Sequence, residues 1–346
     1  MIAEAIATLV CGQSLTMDEA VQVMEEIMSG QTTPAQFAAF ATALRMKGET
    51  VDEIAGLASV MQAKATCVHA DPDVVDTCGT GGDDSASFNI STAAAFVVTG
   101  AGVKVAKHGN RAMSSRCGSA DVLEALGVTI DLGPDEVARC LDEAGIAFMF
   151  APLFHPAMKH ASAPRREIGV RTVFNILGPL TNPARARFQL IGVHSRETGD
   201  KIASVLHRLG TEHSLVVHGM DGMDEVSSSG PSLVWDVGPD GASAPYEITP
   251  EHFGFTRGSP GDIRGGDAGE NAHLLRSVLS GEKGNARNVV VMNAAAALVA
   301  ANRASDLAEA GQIAEHAIDS GSAELRLNRL IEVSYALGRN DRRGEA

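Results

Sequence analysis

The apolar and polar positions of the first sixty or so residues read as helix only. Three capping boxes punctuate the run: Thr16 with Glu19, Thr33 with Gln36 and Thr50 with Glu53. Each puts a hydroxyl at the N-cap and a Glu or Gln three residues on, which satisfies the free N–H groups of a helix start. Pro34 takes a first helical position, where its missing N–H costs nothing. Gly30 and Gly48 fall where the preceding helices should stop. The opening MIAEAIATLVCGQSLT is apolar but carries no basic leader, so it reads as a helix packed on the body and not as a signal peptide.

From residue 73 the pattern changes to short β-rich runs alternating with helical stretches. Strands are expected at 74–77, 103–106, 128–131, 147–150, 189–193 and 214–218. Helices are expected at 91–99, 120–126, 134–144 and 199–209. Such alternation indicates an α/β domain with a largely parallel sheet. Residues 228–265 are rich in Gly, Pro and Ser and should add irregular strands and loops, and the tail from Asn271 returns to Ala-rich helix. The expected architecture is therefore a small all-helical N-terminal domain plus a larger α/β domain, its central, mostly parallel sheet flanked by helices. No internal repeat or low-complexity tract interrupts it.

Composition narrows the function. The 346 residues are 45% hydrophobic but only 4% aromatic, so the core must be built from Ala, Val, Leu, Ile and Met. A formal charge of −15 disfavours non-specific nucleic-acid binding. An anionic substrate would need a local positive island, and a divalent metal would help to bring the two together. The five cysteines are scattered with no CxxC spacing, which argues against a zinc site or disulfide framework and for a reducing cytoplasm. No run approaches the length of a membrane span.

Four segments carry candidate chemistry. After the first expected strand comes a glycine-rich loop, Gly79-Thr80-Gly81-Gly82-Asp83, and then Asn89-Ile90-Ser91-Thr92 at a helix start. Glycines let backbone N–H groups approach a ligand, and helix N-termini hold phosphates. An ordinary turn is the competing reading. The patterns GxxxxGK[ST] and GxGxxG are absent. In the second segment, Lys107 to Ser119, Lys107, Arg111, Arg116 and several serines crowd thirteen residues that follow a strand ending near Ala106. That is where α/β proteins bind ligands, although a solvated polar loop has similar composition. The third segment holds Asp224 and Glu225, hard oxygen ligands suited to Mg²⁺, within a stretch that also reads as a surface turn. The fourth runs from His155 through Arg165 and Arg166 to Gly178-Pro-Leu-Thr-Asn182-Pro183. Arg165 has the geometry to grip a substrate carboxylate bidentately, or simply to pair with a nearby acid.

Taken together, GTGGD at 79–83, NIST at 89–92, KHGN at 107–110, SRCGSADVLEALG at 115–127, GPLTNP at 178–183 and DE at 224–225 resemble the anthranilate phosphoribosyltransferases in order and spacing. AQFAAFATALRMKGET at 35–50 is similar to that family's helical domain. The resemblance spans essentially the whole chain.

It implies transfer of phosphoribose from phosphoribosyl pyrophosphate (PRPP) to the amine of anthranilate, in tryptophan biosynthesis, by a cytoplasmic Mg²⁺-dependent homodimer joined through its helical domains. It implies a helical domain over 1–70, joined by a returning segment near 165–182, and a PRPP-binding α/β domain over 73–346, with the active site in the cleft between them. Carried over by position, Gly79, Gly82, Asp83, Ser87, Asn89, Ile90, Ser91, Thr92, Lys107, His108, Gly109, Asn110, Ser115 and Ser119 should hold PRPP. Gly79, Asn110 and Arg165 should line the anthranilate site. Ser91, Asp224 and Glu225 should contact Mg²⁺, and Lys107, Asp224 and Glu225 should carry catalysis electrostatically, with no nucleophilic side chain.

Two departures stand out. Ser87 replaces the family's usual Thr, keeping the hydroxyl. Ala163-Pro164 replaces the usual Pro-Val before Arg165, which bears on the conformation of that loop. Two other readings compete with it: a pyrimidine nucleoside phosphorylase of the same fold, and a non-catalytic nucleic-acid-binding relative. The paired carboxylates and the acidic surface weigh against them.

Overall fold

The computed structural model describes every residue of the chain except 72, 84, 113–115, 345 and 346, with backbone alone from 340 onward. Four helices open the chain: α1 (Ile2–Val10), α2 (Met17–Met28), α3 (Pro34–Lys47) and α4 (Val51–Ala63). All three capping boxes form. Thr16, Thr33 and Thr50 each accept from the backbone N–H three residues on, and Glu19, Gln36 and Glu53 reach back to the cap N–H. Glu53 also accepts from Leu15 N at 2.9 Å and pairs with Lys47 at 2.9 Å, so a single buried carboxylate binds three parts of the bundle together. Gly48, at φ +88°, ends α3 with a backbone turn that a side chain would resist.

The α/β part follows as β1 (Val75–Gly79), α5 (Ile90–Gly100), β2 (Val105–Gly109), α6 (Ser119–Leu126), α7 (Pro134–Ala144), β3 (Ile146–Phe150), α8 (Ala151–Phe154), α9 (Lys159–Ile168), β4 (Phe188–Gly192), α10 (Arg196–Leu209) and β5 (His213–Gly219). Then come β6 (Ser232–Gly238), β7 (Gly241–Ala242) and β8 (Tyr246–Ile248), and finally α11 (Ala268–Leu279), α12 (Asn285–Ala300), α13 (Leu307–Asp319) and α14 (Ser322–Gly344). The sheet order is β3-β2-β1-β4-β5-β6-β7, with β8 also pairing β6. Strands β3 through β5 are parallel, and β6 to β8 are antiparallel.

Two apolar cores result. One fills the face of the sheet covered by α5, α6, α7 and α11 to α14. The other joins the N-terminal bundle to α10 and to Val173, Phe174, Leu177 and Leu180, which follow α9. Phe37 of α3 stacks on Phe174 with ring centroids 4.8 Å apart. The segment between β3 and β4 thus returns to the bundle and helps to complete its core. Among the described residues, no helix is long and apolar enough to cross a membrane.

The expected strand at 128–131 is not one. Val128, Ile130 and Leu132 alternate into the interior as strand residues would, but among the described residues they pair with no strand. Thr129 N donates to Ser334 Oγ on α14, not to a sheet neighbour. Period-two burial arises here without a ladder.

Candidate active site

Strand β2 follows β1 on one side of the sheet, and β5 follows β4 on the other, so β1 and β4 flank the point where strand order reverses. In open α/β sheets the crevice beyond the carboxyl ends of such strands takes the ligand. Here both strands end in glycine: Gly79 and Gly192 are register partners, and neighbouring β2 ends in Gly109. The missing side chains make room for the segment that links β5 to β6. A Cβ on Gly192 would run into the backbone carbonyl of Asp224, and one on Gly79 would press on the Asp224 carboxylate.

The glycine loop lies at that crevice. Gly81 and Gly82 adopt positive φ, at +63° and +75°, and Gly81 N donates to Asp224 Oδ2 at 2.8 Å. At the start of α5, Ser91 N donates to Glu225 Oε1 at 3.1 Å. Segments some 134 to 143 residues apart are therefore joined by backbone amides and two neighbouring carboxylates. Asn89, at the N-cap of α5, makes no side-chain cap bond. Its amide instead donates to Cys117 O at 3.3 Å and accepts from Asn271 at 2.9 Å, so its rotamer is fixed from two sides. Ser87 forms an isolated bridge with Arg264. Asp83 accepts a short hydrogen bond from Ser85. Ile90 and Thr92 are buried in the helix-to-sheet packing, and of the NIST residues Asn89 and Ser91 keep partial exposure.

The second segment differs from its sequence reading. Lys107, His108 and Gly109 lie inside β2, not in a loop after it. Lys107 is buried at 3% exposure and directs its ammonium to Thr77 O and to Ser91 Oγ, the latter at 3.2 Å. Its charge acts from beneath the first turn of α5 and also attracts Glu225. Burial pulls the Lys107 pKa down, opposed by Asp76. The positive island is smaller than expected, because Arg111 is taken up by Asp121 and Glu124 and stacks on Phe150. Arg116 lies 3.9 Å from Glu270 on an exposed surface. Asn110 follows β2 as an exposed residue, and Ser119 Oγ donates to its carbonyl at 3.3 Å. Ser115 falls outside the described residues.

Asp224 and Glu225 are half-buried and, among the described residues, enter no ion pair. Desolvation, together with the charge of Asp83, pushes the Asp224 carboxyl up to about 7. Desolvation and the adjacent Asp224 raise Glu225 well above the usual carboxylate range. Two crowded anions of this kind are the environment that a divalent cation relieves. Among the described residues no three His, Cys, Asp or Glu side chains group tightly enough to hold a metal unaided. This donor set fits Mg²⁺, which keeps water and takes phosphate oxygens alongside one or two carboxylates.

Arg165 belongs to the returning segment. The stretch before Arg165, expected as a loop, is helix α9, and the displaced proline, Pro164, lies buried within it. Arg165 is half-buried and donates to Phe174 O at 3.2 Å, with its guanidinium 5.8 Å from the Phe174 ring. Among the described residues neither Arg165 nor Arg166 pairs with an acid. Desolvation lowers the Arg165 pKa. No hydrogen bond between described residues joins Arg165 directly to Gly79 or Asn110. Nearby in the same segment, Gly178 O accepts from His108 Nδ1 at 3.2 Å, and the His108 and His155 rings are 5.0 Å apart. Burial holds these imidazoles at about 3 and about 4, so both are neutral near pH 7.

Sequence reasoning missed Arg171, which donates to Gly81 O at 2.6 Å, and Asn271, which orients Asn89. It also missed the use of Asn182 and Asp76 as a pair. Each link is long-range, and nothing local in the sequence marks it.

A helical bundle beside an α/β layer whose strand order reverses between β1 and β4 is the two-part architecture of the glycosyl transferase family. The helical-bundle model of the glycosyl transferase family matches residues 3–65, and its α/β-domain model matches 71–324. Over 334 residues the chain is 60% identical to the anthranilate phosphoribosyltransferase of Chloroflexus aurantiacus, covering 96% of this chain and 98% of that protein. The crystal structure of anthranilate phosphoribosyltransferase from Thermus thermophilus is 43% identical with a TM-score of 0.90, over 96% of this chain and 99% of that one. The enzyme from Saccharomyces cerevisiae in complex with PRPP and Mg is 27% identical with a TM-score of 0.89, over 97% and 98%. The chain belongs to the anthranilate phosphoribosyltransferase family.

Proposed function

We propose that this protein transfers the 5-phosphoribosyl group of PRPP to the amine of anthranilate, releasing pyrophosphate, as a step of tryptophan biosynthesis. One observation supports the site most directly. The glycine loop and the first turn of α5 turn their amides to Asp224 and Glu225 above the glycine ends of β1 and β4. A diphosphate placed there lies at the positive end of a helix and beside the Gly82 N–H, which takes no acceptor among the described residues.

Gly79, Gly82, Asp83, Ser87, Asn89 to Thr92, Lys107 to Asn110, Ser115 and Ser119 are assigned to the donor site. Ser91, Asp224 and Glu225 would hold Mg²⁺, which when bound neutralises the charge that gathers on the departing pyrophosphate. Lys107 adds to that field from below through Ser91 and holds the helix start in place. Gly79, Asn110 and Arg165 are assigned to anthranilate, with Arg165 free to grip the carboxylate in a fork.

Breaking the bond between ribose C1 and pyrophosphate is the hard step. The anthranilate amine is neutral and needs no strong base, so the acceptor residues have to orient it and exclude water. Attack opposite the leaving group inverts C1. Burial keeps the imidazoles of His108 and His155 neutral near pH 7.

The decisive experiment follows the loss of anthranilate fluorescence with PRPP and Mg²⁺. Consumption that requires all three components carries the proposal, and none at all overturns it. Thymidine or uridine with phosphate should release no base. We also assign the protein to the cytoplasm and to a homodimer through its bundle, where Val10 and Met46 stand 72% and 84% exposed. Sedimentation would show a two-chain mass.

A further inference from the structure

We infer that Arg171 is a positioning residue of the donor site, one that fixes the peptides of the glycine loop so that the Gly82 N–H faces the diphosphate. The inference rests on reading that loop as the diphosphate cradle. Arg171 comes from the returning segment, just past Gly169, which ends α9. Its guanidinium reaches across 90 residues of sequence to donate to Gly81 O at 2.6 Å, and it lies 3.4 Å from Thr80 O.

The peptide unit explains what this contact does. In a planar trans peptide, C=O and N–H point in opposite directions. Fixing the Thr80 carbonyl on one side sends the Gly81 N–H to the other, and that N–H is indeed the one donating to Asp224 Oδ2 at 2.8 Å. Fixing the Gly81 carbonyl likewise sends the Gly82 N–H away from the arginine. Among the described residues no hydrogen bond takes that Gly82 N–H, so it is free for an anion. The loop is thus held between a cation on one face and the Asp224 carboxylate on the other.

Two further observations fit this role. A Cβ on Gly82 would land on the Arg171 guanidinium, so the glycine and the arginine occupy complementary space. Arg171 enters no ion pair among the described residues, so its charge is not spent on a neighbouring acid, and it draws on Asp224 electrostatically. In a chain of net charge −15, an unpaired cation against the phosphate loop favours a polyanionic ligand as well as ordering the loop.

Calorimetry of PRPP binding in the presence of Mg²⁺ tests this with the wild-type protein, Arg171→Ala and Arg171→Lys. Loss of a charge-assisted bond should weaken donor binding roughly tenfold in the alanine variant. Lysine should restore part of it, as a point charge that lacks the fork. In steady state the donor KM should rise while the anthranilate KM and the thermal midpoint stay near wild type. Equal donor affinity in wild type and Arg171→Ala would overturn the inference, as would a loss that lysine leaves untouched and that tracks lost thermal stability. If the wild-type protein itself takes up no PRPP, the reading of the loop fails, and this inference fails with it.

Discussion

Asn182 donates from Nδ2 to Asp76 Oδ2 at 2.7 Å, joining the GPLTNP stretch to the first strand of the sheet across 106 residues. The same nitrogen lies 2.8 Å from Ala106 O, and Asp76 Oδ1 accepts from His108 N at 3.2 Å. All these groups are buried. Desolvation raises the Asp76 pKa, and Lys107 opposes the shift. The pair fixes the depth of Lys107 and the line of the returning segment together. Replacing Asn182 with alanine would leave a buried carboxylate short of a donor, at a cost of about 2 to 3 kcal/mol. Urea denaturation at pH 7 should show that loss, and an unchanged midpoint would remove the pair's structural role.

The double substitution Asp224→Asn with Glu225→Gln should abolish most turnover while leaving the protein folded. Without metal it should also be the more stable protein, by about 1 to 3 kcal/mol, because desolvation disfavours ionisation of both carboxyls there and an amide has no charge to desolvate. Activity and chemical denaturation in chelator measure the two effects. Turnover of the wild type in chelated, metal-free buffer would refute the metal assignment.

Arg165 meets a backbone carbonyl and an aromatic face and no acid. Arg165→Ala should therefore raise the KM for anthranilate by roughly tenfold or more, the loss of a charge-assisted contact. The KM for PRPP should move little. Equal shifts in both constants would count against the assignment to the carboxylate.

His155 titrates at about 4 and His108 at about 3, both driven down by burial. The unfolded chain takes up these protons first, near pH 6.5. Stability should hold above that value and decline as pH falls from about 6.5 toward 4, by up to about 1.4 kcal/mol per pH unit for each imidazole. His155→Gln should flatten the slope by close to one proton. The same slope in wild type and variant would show that His155 is not the source.

The helix starts were legible because a capping box is a local contract between residues three apart, and all three formed as read. The parallel strands were legible as short apolar runs. Val128 to Asp131 misled because alternating burial needs only an apolar neighbour on one side, and α14 supplied it. Lys107 is expected just past a strand ending near Ala106, yet it lies within β2, where Thr77, Ser91 and Asp76 together make a buried ammonium tolerable. Arg111 looked available for phosphate, but the acids that claim it lie ten and thirteen residues later, on a helix face the linear pattern does not display. Arg171 left no signal, since its partner loop lies ninety residues earlier.

Phe174 stacks on Phe37, and Val173, Leu177 and Leu180 line the same core. A gene fragment stopping at residue 65 would therefore encode a bundle with its plug missing, and should come out sticky and poorly ordered. Supplying residues 156–183 on a second polypeptide is the complement it lacks. A recombination junction between the two halves would carry the same penalty, so the halves are expected to travel through evolution as one inheritance.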